Sequence, residues 1–556
     1  MKNLKSIIVM MFALLTFAGC NEILNKGPLD SFTDDNFWSS ETNVRTYAFA
    51  FYNEFSGYDS DFYFPTLNDN QVASIFNNFT LDVPTTDTNW SGGWATIRRA
   101  NILLDRIDRV PMSDEAKAHW TAFAKLMRAW SHYKLVRRFG DVPWVGKVVD
   151  LNDEGLLYGA RENRDLVMDK VLEDLQSIGS LYDNRKNEVN RAVGNAIKSE
   201  ICLYEGTFRK YRPNPDNVGA EKFLKESKAA SQFIMDKSYY VLSNSYRALY
   251  NSLDLNGNTE MILYKAYITG IMTHGVIAYS AAATTISYGM SKSAFDAYLF
   301  IDGKPKELTA EEKDDAAINV PTPGAPRNQL MNIKHMLDVR DKRLSQTIDE
   351  LLSYQSQAAP GFTTSTTGYR ACKFDNLSLP TTERSGTAAN PTDAPLYWLS
   401  VIYLNYAEAC AELGTITQTD LDNTINKLRV RAGLPKLLVD PGFDDPENNM
   451  GVGRLIWEIR RERRCELMMD LNDRYWCLIR WHQLDKLDST VYPDILKGAN
   501  VKNDALTTLA KIDNYLDGTR GGNKRIFKEK YYLQPIPSGQ TALNPLLGQN
   551  PGWEQN

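Results

Sequence analysis

Glu458, Glu462 and Glu466 stand four residues apart, so on a helix their carboxyls share one face. Two such carboxyls in one cleft can do acid–base work, one giving a proton and the other taking one. Like charges at that spacing also repel, and these three are interleaved with Arg460, Arg461, Arg463 and Arg464. Leu455, Ile459, Leu467 and Met468 flank the row, which points to half-buried carboxyls neutralised by arginine. The expected role of Glu462 and Glu466 is therefore structural, each beside Arg463 or an arginine from another helix. The residues for other chemistries are missing. The five histidines, His119, His132, His274, His335 and His482, form no H-E-x-x-H or other close ligand pair, and neither G-x-S-x-G nor a P-loop occurs. No metal and no cofactor is expected.

Sugar recognition needs flat apolar faces beside hydrogen-bonding groups. Ser56–Gly93 supplies both: Tyr58, Tyr63, Phe76 and Trp90 stand among Asn68, Asp69 and Asn70, with almost no periodicity. An irregular stretch of this length far exceeds an ordinary connection and is usually functional. A second irregular stretch, Ile268–Met290, is rich in Gly, Ala, Ser and Thr. The two are expected to meet and form the ligand site. Trp90 is the first stacking platform, since Ser91-Gly92-Gly93 leaves its indole open, and Tyr288 is the second. Asn68 and Asp69 are the partners for sugar hydroxyls. The alternative chemistry is a secreted, all-helical glycoside hydrolase, for which Asp59, Asp61, Asp69 and Asp82 are the acidic cluster available.

The elements that must hold these residues are mostly helices. Val44–Phe55 opens the series. Trp94–Val110 and Asp114–Phe139 form a pair, and in the second Trp120, Phe123, Met127 and Trp130 recur at helical spacing. Asn163–Tyr182 with Ala192–Phe208 is another pair, and Ala220–Met235 begins a third. Small residues such as Ala196, Gly206 and Ala229 mark close packing, so the rhythm resembles degenerate tetratricopeptide repeats. Residues 243–395 lose that rhythm, with a short strand expected in Glu260–Tyr267 and an exposed insertion in Leu308–Leu330. Helices return at Leu396–Leu413, Leu421–Ala432 and Leu455–Met469. Asp470-Leu471-Asn472-Asp473 breaks the last one, and Arg474 to Trp481 begins its hairpin partner.

The hairpin resembles the C-terminal signature of the SusD/RagB family of outer-membrane nutrient-binding lipoproteins. Ile459, Glu462-Arg463, Glu466-Leu467, Arg474 and Arg480-Trp481 carry the match, while Leu471-Asn472 and Cys477 depart from it. Further matches follow in order: RRFGDVPW at Arg137–Trp144, AFDAYLFID at Ala294–Asp302, VRDKRL at Val339–Leu344, YLNYAEA at Tyr403–Ala409, and a Pro-rich ending from Tyr532 to Gly552. The resemblance implies a mostly α scaffold of tetratricopeptide-like pairs with a loop-rich ligand-binding portion. It implies two regions, 20–250 and 251–556, after a signal peptide at 1–19. It also implies a non-enzymatic protein that binds a glycan or other nutrient at the cell surface. The partner would be a SusC-like TonB-dependent transporter in the outer membrane. Glu462, Arg463, Glu466, Arg474 and Trp481 are then structural.

The chain has 556 residues, 43% hydrophobic and 24% charged, ample for a large core. A net charge of −6 argues against a nucleic-acid partner. At the start, Lys2 and Lys5 precede an apolar run, Ile7–Phe17, that is too short to span a bilayer. Ala18-Gly19 then lead to Cys20, as in a lipobox, where the thiol takes a diacylglyceryl group that anchors the protein to the membrane. The other five cysteines are scattered without C-x-x-C spacing and are expected as small buried hydrophobes. Replacing Cys20 by Ala should move the protein from the membrane to the soluble fraction. A variant that stays membrane-bound with its lipid label intact would refute the lipobox.

Overall fold

The computed structural model describes residues 34–58, 67–73, 75–183, 185–281, 288–322, 329–354, 364–470 and 473–554. The leader, Cys20, Asp59, Asp61, Tyr63, Leu471 and Asn472 lie outside the described residues.

The chain is mostly helical, and the helices pack in pairs. Helix α1 (Glu41–Phe49) is capped by Ser40, whose side chain accepts from the Asn43 amide. Helix α2 (Thr88–Arg106) begins six residues earlier than the apolar pattern from Trp94 indicates. The Asp87 carboxylate accepts from the Asn89 amide and starts the helix there. The irregular Ser56–Gly93 stretch is shortened accordingly, and Trp90 sits in a helical first turn. Helix α3 (Asp114–Phe139) packs on α2, ending at Gly140 with φ 75°. A Cβ on Gly93 would lie 2.8 Å from the Leu135 side chain, so this glycine is what lets α2 and α3 approach. Helices α4 (Arg164–Leu175), α5 (Arg191–Tyr211) and α6 (Asn217–Met235) continue the series. Gly206 plays the same part between α5 and α6, where an added Cβ would meet Leu224 at 2.7 Å.

The strands are short. β1 (Gln71–Ala73) pairs with β3 (Tyr288–Met290), and β2 (Met261–Lys265) with β4 (Ala394–Trp398), both antiparallel. β4 takes the first residues of the expected Leu396–Leu413 helix, so helix α7 is Leu399–Glu412. The expected Leu421–Ala432 helix is interrupted at Thr424, whose backbone (φ −130°, ψ −94°) leaves the helical region; its second half is α8 (Ile425–Arg431). Two strands of the expected insertion, Ile318–Pro321 and Gln329–Asn332, form a hairpin whose first strand is exposed. Helices α9 (Arg454–Glu466) and α10 (Asp473–Arg480) follow. Buried side chains from Trp38 to Trp553 form one continuous cluster, so regions 20–250 and 251–556 share a core. Cys202, Cys372, Cys410, Cys465 and Cys477 are all free and buried.

The carboxyls of α9 are buried, not half-buried, and the arginines of Glu462 and Glu466 come from elsewhere in the chain. Arg343, from the VRDKRL segment, donates to Glu462 at 2.6 Å, to Glu466 at 2.9 Å and to Asp341 at 2.6 Å. Arg431 of α8 closes on the other Glu466 oxygen. Arg463 pairs with Glu408 of α7 at 2.9 Å, and Arg480 and the Trp481 indole N–H reach the same carboxylate. Burial alone would raise the Glu408 carboxyl, but Arg480 and Arg463 outweigh it and hold it down at about 2. Glu458 has weaker support, one contact from Arg461 Nε at 3.3 Å, and burial pushes it up to about 8.

Two measurements follow from this charge lattice. Arg343→Ala strands Asp341 and Glu462 and leaves Glu466 to Arg431 alone; it should cost about 3–5 kcal/mol, read as a large fall in Tm, and wild-type melting would show that these carboxyls are solvated. Glu458 binds its proton more tightly folded than unfolded, so the native state holds the extra proton between about 4.5 and about 8. Its contribution is full below the lower value and is lost, by of the order of a few kcal/mol, as pH rises through the upper one. Glu458→Gln should flatten that slope, raising relative stability at pH 9 over pH 5. An unchanged pH profile would disprove the burial argument.

Candidate functional site

A cleft of about 490 Å³ opens among the helix pairs, within the usual size of a small-ligand site. One face of α3 builds its first wall. Trp130, Lys134, Arg137 and Arg138 recur at helical spacing and all line it. Helix α10 builds the opposite wall through Asp473, Trp476, Cys477 and Arg480, again three and four residues apart. The first turn of α2 gives Thr88, Asn89 and Gly92, and a Cβ on Gly92 would meet nothing, so this rim is open. Tyr204 of α5 and Trp398 of β4 complete the lining.

The aromatic surface is held in place by cations. Trp476 is half-buried, with the Arg137 guanidinium 4.2 Å over its ring and the edge of Tyr475 5.0 Å away. Trp130 takes the edge of Phe55 at 4.6 Å and the Lys134 ammonium at 5.5 Å. The charges in the cleft are matched. Lys134 pairs with Glu54, Arg137 lies 3.8 Å from Glu200, and Glu200 also accepts from the Tyr397 hydroxyl at 2.6 Å. Burial raises the Glu54 carboxyl, but Lys134 more than offsets this and leaves it below the usual range, which does not suit a general acid. Asp470 is different: burial pushes it up to about 6, although Lys373 and the Tyr250 hydroxyl both donate to it at 2.8 Å. Two polar groups in the lining stay unanswered. The Trp398 indole N–H and the Tyr204 hydroxyl are buried and have no hydrogen-bond partner among the described residues. A buried donor in this condition costs free energy until water or a ligand meets it.

The two irregular stretches do meet. Ala73 lies opposite Tyr288 in the β1–β3 pair, and Ser291 donates its amide to the Asn70 carbonyl at 2.9 Å. The side chains nominated from them point elsewhere. Trp90 is only 4% exposed, its ring edge-on to Phe139 at 5.1 Å and to Trp94, because the α2 first turn carries it into the core. It is therefore not an open stacking face. Tyr288 is buried as well. The Asn68 carboxamide oxygen accepts from the amides of Asn70 and Gln71, a local turn that uses it up. Asp69 receives two bonds from Arg474, at 2.8 and 2.7 Å. Burial raises this carboxyl, but Arg464 and Arg474 pull it well below the usual range, so it suits neither a hydroxyl partner nor a hydrolase acid. Sequence reasoning passed over Trp476, Tyr204 and Trp398. The signal available was the Trp-x-x-x-Lys-x-x-Arg-Arg spacing in α3, which aligns one aromatic and three cations on one face. Among the described residues, no three His, Cys, Asp or Glu side chains group as metal ligands, and no helix is long and apolar enough to cross a membrane.

Comparison with known proteins agrees with this architecture. The family model for the SusD family matches residues 273–553, and one described as starch-binding, associating with the outer membrane, matches 28–198. SusD-like protein P38 of Formosa agariphila is 23% identical over 517 residues, 86% of this chain and 91% of that protein. SusD-like protein P25 of the same organism is 26% identical over 236 residues, 37% of this chain, and the match spans less than half of that relative, 44%. Among solved structures, a SusD-like carbohydrate binding protein from Bacteroides fragilis superposes with a TM-score of 0.70 at 20% identity, covering 92% of this chain and 99% of the other. A laminarin binding SusD-like protein gives 0.57 at 19% identity, covering 92% and 100%. With the first of these family models covering half of the chain, the ordered sequence motifs and the helical scaffold have one common explanation: the chain belongs to the SusD family.

Proposed function

We propose that the protein is a lipid-anchored, cell-surface lipoprotein of the outer membrane that binds an oligosaccharide in the α3–α10 cleft and delivers it to a SusC-like TonB-dependent transporter. It carries its ligand without cleaving it. The observation that bears most weight is the pairing of a half-buried indole, Trp476, with two buried donors that lack partners, Trp398 Nε1 and Tyr204 Oη. A sugar ring presents C–H faces to an indole and hydroxyl oxygens to such donors. The matched charges of this cleft fit an uncharged, hydroxyl-rich ligand. The description of one matching family model as starch-binding, and the naming of two structural neighbours for carbohydrate and laminarin binding, support the same reading. The membrane anchor, outward orientation and transporter partner rest on the lipobox and on family membership.

Trp476→Ala should weaken binding of a neutral oligosaccharide identified on a glycan array by about tenfold, the loss of a stacked ring and its buried area, in a protein that is still folded though lower in Tm. Retention of wild-type affinity by a folded variant would rule out this cleft. Release of reducing ends from polysaccharide by the purified protein would rule out the non-enzymatic role.

A further inference from the structure

Helix α9 has a second cleft on its other side, of about 440 Å³. Trp457, Arg460, Arg461 and Arg464, at positions i, i+3, i+4 and i+7, form one face of the helix and line this cleft, whereas Arg463 lines the first. Arg474 joins them on the floor. Four guanidinium groups there face two buried carboxylates, Asp69 and Asp445, while the less buried Asp296, Glu307, Glu447 and Asp494 complete the acidic lining. Arg464 and Arg474 share Asp69, at 3.2 and 2.7 Å. Arg460 shares Glu412, behind the cleft, with Lys210 and the Tyr211 hydroxyl, and its own Nε is buried without a hydrogen-bond partner among the described residues. Burial draws the Arg464 guanidinium down to about 10 even though Asp69 opposes the shift. Arg464 and Arg474 thus divide one carboxylate between them, and Arg460 keeps an N–H that no described residue accepts. Lys292 is buried between Asp296 and Asp494, at 2.6 Å from each, Lys306 is partly exposed, and half-buried Trp457 and Tyr492 flank the opening.

Guanidinium forks fit the planar or tetrahedral oxygens of a carboxylate or sulfate, two bonds at a time. We infer that this second cleft binds an oxyanion carried on a saccharide, a uronate carboxylate or a sulfate ester, bridged by Arg464 and Arg460 with the sugar against Trp457. That the anion is carried on a sugar rests on the reading proposed above; that an anion binds here does not.

The full-length chain in detergent would be titrated calorimetrically with oligogalacturonides, sulfated galactan oligosaccharides and neutral gluco-oligosaccharides of equal length. The acidic sets should bind more tightly than the neutral one by about tenfold at low salt, with the gap closing as salt rises. The tighter of the two acidic sets identifies the anion. Arg464→Gln should abolish the preference, and Trp476→Ala should leave it intact. Lys306→Gln keeps a hydrogen-bonding group beside buried Asp315, its partner at 3.4 Å, should reduce the preference about threefold in a folded protein, and decides the matter if Arg464→Gln fails to fold. Equal affinity for acidic and neutral sets in the wild type, or an undiminished preference in the folded variants, would overturn the inference. Neutral binding that ignores Trp476→Ala while the acidic preference responds to Arg464→Gln would instead refute the first cleft alone.

Discussion

Removing a charged side chain from water is so costly that each buried ion must find its counter-ion or lose its charge. Around α9 this constraint organises the fold. Arg343 satisfies Asp341, Glu462 and Glu466 together, and Arg431 draws Glu260 and Glu466 onto one guanidinium. Glu408 collects Arg463, Arg480 and the Trp481 indole. These hubs tie the VRDKRL segment, α7, α8, α9 and α10 into one block. Replacing such a lattice by apolar side chains is often harmless, but losing one member is not. A hub with three carboxylates therefore couples segments far apart in sequence more strictly than hydrophobic contact would.

The same helix separates two clefts and contributes arginines to both. Successive residues on a helix turn by about 100°, given 3.6 residues per turn, so the adjacent Arg463 and Arg464 face opposite sides. Arg463 meets Glu408 and takes part in a wall whose charges are matched. Arg464 faces a floor in which it shares one carboxylate, Asp69, with Arg474. Four arginines within a run of five residues look redundant in sequence, but the helix gives them two destinations.

The first cleft also shows how a rigid scaffold presents a flat aromatic face. Arg137 lies over one face of Trp476, and the rings of Tyr204 and Tyr475 stand edge-on to it. The indole cannot rotate away without losing these contacts, so little side-chain freedom remains to be lost on binding. The nearby Asp470 is held by Lys373 and Tyr250 beside the turn that joins α9 to α10. Its raised carboxyl lies close enough to neutrality for the charge of the cleft floor to depend on mild acidity.

Local physics was legible in the sequence. Helical periodicity located α3 to its last residue, and the interleaved Glu and Arg of Leu455–Met469 announced carboxyls paired with arginine, although as half-buried ones. The hairpin signature and the motifs ordered around it carry the family resemblance in the sequence itself. The partners and the orientations were not legible. Asp69 meets Arg474 across 405 residues of chain, and Glu462 meets Arg343 across 119, separations at which no periodicity operates. Trp90 looked exposed because three small residues follow it. The Asp87 cap started α2 early, and Gly93 served close packing on Leu135, not an open face. Whether an aromatic ring lies in a core or on a cleft wall depends on which helices approach it. That is settled by the shape of the whole packed chain, so Trp476 and Trp90, alike in type and in polar surroundings, end on opposite sides of the surface.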